Sequence, residues 1–93
     1  MATASARHIL VKTKEECEGL KEKIEAKEET FEEMAKQYSD CPSGSAGGNL
    51  GSFSKGQMVS EFDSVVFSKE LDVVHGPIQT QFGYHLILIT GRD

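Results

Sequence analysis

Two short stretches, one at each end of the chain, restrict its fold more than anything between them. "ARHILVK", residues 6–12, and "FGYHLILIT", residues 82–90, are β-branched and aliphatic runs of strand length. With the period of two that a strand imposes, His8 shares a face with Ala6 and Leu10, while Ile9 and Val11 take the other. His85 shares a face with Ile87 and Ile89, opposite Tyr84, Leu86 and Leu88. A strand that is apolar on both faces belongs inside a sheet, so both runs are expected to be central strands. Terminal segments of small mixed domains often pair, which would bring His8 and His85 within reach of a shared hydrogen bond between ring nitrogens.

Between these ends the chain alternates helix and loop signals. In "TKEECEGLKEKIEAKE", Thr13 and Glu16 have the spacing of a capping box, and Cys17, Leu20 and Ile24 recur on one helical face. "TFEEMAKQYSD" repeats the device, with Thr30 as N-cap, Glu33 at the third helical position, and Phe31, Met34, Ala35 and Tyr38 as the expected buried stripe. "CPSGSAGGNLGSFSKGQ" carries five glycines and a proline in 17 residues, which is loop chemistry, and within it "NLGSFS" suits one short strand. "MVSEFDSVVFS" is expected to be a third helix, with Ser60 as cap and Val59, Phe62 and Val66 along one stripe. After a loop around His75, "GPIQT" and the last run form a pair of strands joined by a tight turn near residues 81–83. The order is that of an α+β fold, in a single domain spanning residues 1–93 with no internal repeat.

Composition removes several classes of function. A 93-residue chain buries only roughly 60–70% of its unfolded surface, too little for a large internal cofactor. A net charge of −5 argues against nucleic acid as the main partner, because phosphate binding needs a concentrated basic surface. Six lysines, at 12, 14, 21, 23, 27 and 36, crowd one third of the chain, but glutamates lie among them. A solvated, salt-laced helix surface is the leading reading, and a lysine stripe for an anionic membrane surface is the alternative. The chain has no apolar run long enough for a transmembrane helix, and "MATASARHILVK" lacks the layout of a signal peptide. Only Cys17 and Cys41 are present, without CxxC spacing, so a reducing compartment and a cytoplasmic monomer are expected.

Two constellations could carry chemistry. The first is His8 with His85, read four ways: unrelated histidines satisfied by backbone, a hydrogen-bonded pair, two ligands of a metal, or partners of a Cys41 nucleophile. A third metal ligand at good spacing is missing, and patterning alone leaves the rest open. The second is apolar. Met58 and Phe62 stand four residues apart on one helical face, a spacing more often found in cores than in pockets. Phe82, in a turn where a polar residue would be ordinary, points to a recess for an apolar guest.

"HILVK", "YSDCPSG", "GGNLGSFSKGQMV", "EFDSVVF" and "GPIQTQFGYHLI", in that order and spacing, resemble the parvulin family of peptidyl-prolyl cis/trans isomerases. The resemblance runs from about Arg7 to Thr90 and implies a βαααβαββ fold: a four-stranded antiparallel sheet surrounded by helices, with a shallow site on one face. It implies that His8 and His85 are the family's paired histidines, with Thr80 in their network and Cys41 beside the twisting bond. Leu50, Met58 and Phe62 align with the proline pocket, Phe82 with a variable wall of it, and Gln57 with a residue that offers substrate a backbone contact. Neither cofactor nor metal is implied, and the expected partners are Xaa-Pro polypeptides. Family members that demand phosphoserine or phosphothreonine before proline carry an arginine-rich loop after the first strand. Here "HILVKTKEECEGL" runs straight into the helix without one, so little dependence on phosphorylation is expected.

Overall fold

A computed structural model describes residues 3–58 and 60–92. Four strands form one antiparallel sheet: β1 (Thr3–Val11), β2 (Asn49–Ser54), β3 (Val74–Thr80) and β4 (Gly83–Arg92), in the order β2-β1-β4-β3. The two-faced apolar strands therefore occupy the middle, and they pair with each other. Between them in sequence lie helices α1 (Lys14–Glu25) and α2 (Phe31–Tyr38), a 3-10 helix (Pro42–Ala46) and helix α3 (Ser60–Val66).

Both capping boxes close at their first half. Thr13 Oγ1 accepts from the Glu16 amide and Thr30 Oγ1 from the Glu33 amide, each at 3.2 Å, satisfying a donor that the first turn leaves free. The sheet has a core on each side. On one, Ile9, Val11 and Leu86 pack against Cys17 and Leu20 of α1 and against Phe31, Met34 and Ala35 of α2. On the other, Ala4, Ala6, Ile87 and Ile89 pack against Phe53, Phe62 and Val66. The histidines lie on this second face, the one that α3 covers.

Three local expectations need correction, and a fourth cannot be compared. Tyr38, placed in the buried stripe of α2, is 40% exposed, because only three of the helix's residues, Phe31, Met34 and Ala35, reach the sheet. Ser60 is the first residue of α3 rather than its cap, and its hydroxyl turns to the Glu61 carboxylate. The expected contribution of Val59 to the α3 stripe lies outside the described residues. His75 is part of β3 instead of a preceding loop, paired with Ile87, and its Nε2 meets the Glu70 carbonyl at 2.8 Å.

Gly48 shows how closely the loop approaches the central strand. Its φ is +83°, and a Cβ there would sit 2.4 Å from the His8 carbonyl oxygen, so a side chain is excluded by both conformation and space. The His8 amide donates to the Gly48 carbonyl at 2.9 Å, which anchors β1 beside the loop at the level of the site.

Candidate active site

Register brings the two histidines together. In the β1–β4 ladder His8 faces Ile87 and Leu10 faces His85, so the histidines are diagonal neighbours on one face. Their Nδ1 atoms are 3.1 Å apart and their ring planes lie within 18° of each other. Thr80, at the end of β3, meets His85 Nε2 at 2.8 Å and accepts from the Phe82 amide at 3.2 Å. At the other end His8 Nε2 meets Ser43 Oγ at 3.1 Å, and Ser43 Oγ donates to Cys41 Sγ at 3.3 Å.

One arrangement of protons satisfies every member of this chain. The Phe82 N–H donates to Thr80 Oγ1, leaving the threonine proton for His85 Nε2. His85 then carries its proton on Nδ1 and donates to His8 Nδ1, and His8 carries its own on Nε2 and donates to Ser43, which donates to the Cys41 sulfur. Both imidazoles are neutral in this arrangement. Burial, and the neighbouring His85, lower the His8 pKa from 6.5 to about 4. Burial also lowers the pKa of His85, against an opposing influence from the Glu61 carboxylate. A proton added to His8 Nδ1 would face the N–H of His85, and among the described residues no carboxylate is buried to compensate.

This has a measurable consequence. Between pH 6.5 and about 4 the unfolded chain takes up a proton at His8 that the folded protein refuses. Stability is therefore complete above pH 6.5 and declines as the pH falls, by up to roughly 3 kcal/mol from this residue alone. Urea denaturation from pH 7 to pH 4.5 should show that decline, and a His8→Gln variant should show a flatter one. An equal slope in both would remove His8 as its source.

Above the histidines opens a cleft of about 460 Å³, with mainly apolar walls. Phe62 and Met58 form its helical side, Leu50 comes from β2, and Phe82 rises from the β3–β4 turn. Phe62 is 2% exposed, and its ring meets those of His8 and His85 edge-on, at centroid distances of 5.7 and 6.1 Å. Phe82 is 62% exposed, so it is a rim residue with one face free. Cys41 and Pro42 also line it. Gln57 also lines the cleft, while its amide oxygen accepts from the Ser54 N–H and holds the turn after β2. A second groove, of about 540 Å³ between α1 and Gly76–Pro77, is walled by glutamates and Lys21 and has no such apolar floor.

Eight of the nine residues expected at the site thus border one cleft. Thr80 does not, being buried beneath it as a partner of His85. Sequence reasoning missed Ser43, which continues the chain to Cys41, and Ser39, which holds the Cys41 loop in place. Ser39 Oγ accepts from the amides of Leu10 at 3.1 Å and Cys41 at 3.3 Å, while the Asp40 amide donates to the Leu10 carbonyl at 2.7 Å. The signal for both serines was their place beside "DCP", where short hydroxyl side chains commonly bond to turn backbone. Among the described residues no group of three or more His, Cys, Asp or Glu is arranged to hold a metal ion.

Comparison with known proteins fits this geometry. The family model of the rotamase, PPIC-type PPIASE domain matches residues 7–91, nearly the whole chain. The chain belongs to this family, the parvulins. The foldase protein PrsA of Halalkalibacterium halodurans is 44% identical over 88 residues, which are 94% of this chain and 26% of that protein. The chain spans about a quarter to a third of the length of the curated PrsA relatives it matches. Among solved structures, PrsA from Bacillus anthracis superposes with a TM-score of 0.93 at 36% identity, over 99% of this chain and 42% of that one. NmPin, the parvulin of Nitrosopumilus maritimus, matches over 98% of both chains, with a TM-score of 0.85 and 37% identity. The parvulin fold is thus shown over the matched residues 7–91, with the α+β architecture expected from sequence.

Proposed function

We propose that this parvulin domain accelerates cis/trans rotation about Xaa-Pro bonds in polypeptides, as a foldase, without forming a covalent intermediate. The observation that carries the reading is the apolar cleft of Met58, Phe62, Leu50 and Phe82 set directly over a neutral, fully paired His8–His85 network. An Xaa-Pro bond prefers trans only slightly, and the obstacle to exchange is the resonance barrier of roughly 18–20 kcal/mol. An acceleration of about 10⁴-fold requires on the order of 5.5 kcal/mol of preferential transition-state binding.

Rotation toward 90° breaks conjugation, so the carbonyl loses polarity and the proline nitrogen becomes pyramidal. A pyrrolidine ring held by Phe62 and Met58 keeps one side of the bond still while the other turns. The cleft replaces water around a bond that is most polar when planar, which favours the twisted form. Below it, the paired histidines keep the floor rigid and present no charge to the amide. Cys41 acts as an orienting and electrostatic group, since rotation needs no bond to break.

One chain supplies every wall of the cleft, so a monomer suffices, and the free thiols of Cys17 and Cys41 suit a reducing compartment such as the cytoplasm. Along the groove side of α1 the side chains are Glu15, Glu18, Glu22 and Glu25 beside Lys21, whose Nζ donates to the Gly76 carbonyl at 2.8 Å. That favours a solvated surface over a lysine stripe for membranes.

A protease-coupled assay on matched Ser-Pro and phosphoserine-Pro peptides tests the reading. The unmodified peptide should be isomerised at least as fast as its phosphorylated counterpart. Activity confined to the phosphorylated peptide would contradict it, because β1 passes into α1 through two residues without an arginine.

A further inference from the structure

We propose that Arg92, at the end of β4 remote from His85, is a positioning residue for the proline pocket and acts through helix α3. The inference rests on the isomerase reading above and extends it to a side chain that does not line the cleft.

The bonds that carry it are direct. Arg92 Nη1 donates to the carbonyls of Val66, at 2.9 Å, and Lys69, at 2.7 Å. Val66 is the last residue of α3, and its carbonyl is among those that a helix end leaves without an amide partner in the next turn. A cation placed there also suits the negative end of the helix. Phe62 stands one turn before Val66, and both side chains are buried in the core beneath the helix. Arg92 therefore fixes the end of the element that carries Phe62 into the wall of the cleft.

α3 needs such a restraint. It has seven residues, and helices shorter than about 12–15 residues are marginal on their own, so its place depends on its packing and on what holds its ends. Near its start, Asp63 Oδ1 accepts from the Gly56 amide at 2.8 Å, which ties it to the turn leading to Gln57 and Met58. At its finish, Arg92 ties it to the sheet, where Arg92 pairs with Ala4 of β1. The histidine pair, Cys41 and Phe82 belong to other parts of the chain. Releasing the end of α3 thus weakens the hold on the proline ring and leaves the network beneath the rotating bond as it is. A grip made equally in the ground and transition states shows in KM and not in kcat.

The test is kcat and KM on an Ala-Pro peptide for the wild-type chain, Arg92→Met and Arg92→Lys, each shown by chemical denaturation to be folded at the assay temperature. Methionine keeps much of the apolar stem and removes every donor, whereas lysine restores a cation that can reach a carbonyl. Arg92→Met should raise KM about three- to tenfold with kcat within about twofold of wild type, and Arg92→Lys should recover most of that rise. Amide hydrogen exchange should localise the change, with faster exchange across α3 and none in α2. A lowered denaturation midpoint with unchanged KM would overturn the assignment and leave Arg92 a structural cap. A lysine variant no better than methionine, or protection lost equally from both helices, would overturn it as well. If Arg92→Met does not fold, Arg92→Gln takes its place with the same outcomes. A wild-type chain that accelerates no Ala-Pro exchange would overturn the isomerase reading and this inference with it.

Discussion

Replacing Phe62 by alanine is expected to remove about 3–5 kcal/mol of folding stability and to lower kcat/KM on Xaa-Pro peptides at least about tenfold. The ring serves two surfaces at once. On its inner side it packs edge-on against Phe53, at a centroid distance of 6.1 Å, within the core formed by Ala4, Ala6, Ile87, Ile89 and Val66. On its outer side it borders the cleft and touches both histidine rings. Truncation to alanine opens a void that the short helix α3 can close only in part, and it withdraws the surface on which a proline ring would rest. Phe62→Met separates these effects, because a flexible apolar side chain refills the core volume without restoring a flat aromatic wall. Chemical denaturation and peptide kinetics on both variants provide the check. Methionine should recover most of the stability and less of the activity, whereas parallel recovery would reduce the role of Phe62 to packing.

His8→Ala is the second large effect, and here stability and activity should fall together. Removing the ring leaves His85 Nδ1–H without its acceptor and Ser43 Oγ without its donor, in a region where His8 and His85 are only 6% and 4% exposed. Unpaired buried groups of this kind cost about 1–3 kcal/mol each, on top of the lost packing against Phe62. Thr80→Val attacks the same network from its other end, leaving His85 Nε2 and the Phe82 amide unpaired. Because both substitutions act through His85, their effects should not add, and the double variant should be less damaged than the sum of the singles. A His8→Ala protein with an unchanged denaturation midpoint and lost activity would mean that the imidazole takes part in the chemistry directly.

The parts of the fold written in local chemistry were legible without coordinates. Thr13 and Thr30 announce their helices through spacing alone, and "NLGSFS" becomes the strand Asn49–Ser54. The central placement of the end strands followed from apolar residues on both faces of each, since an edge strand would leave one side of that surface wet; their pairing with each other stayed one possibility among several until the ladder from Ala4 to Val11 was seen. What could not be read was whatever depends on where a neighbour stands. Tyr38 has the helical spacing of a core residue, yet the sheet does not extend beneath it. Ser43 looks like a loop residue until the 3-10 helix places its hydroxyl between His8 and Cys41. Thr80 and Phe82 are two residues apart in one turn but point to different depths, the first 8% exposed under His85 and the second 62% exposed on the rim. Composition suggested an acidic protein, but only the course of the chain from Ser39 to Cys41 brings one of those charges, Asp40, to the cleft.

The central claim is that this cleft catalyses rotation and does more than hold an extended chain. Magnetisation exchange between the cis and trans resonances of an Ala-Pro peptide, recorded at equilibrium with a small fraction of the protein present, tests it without any coupling enzyme. The account predicts that exchange, which otherwise takes roughly 10–100 s, reaches the sub-second range, and that Cys41→Ser retains most of the effect. Peptide resonances that shift on binding while cis and trans exchange no faster than in free solution would contradict it.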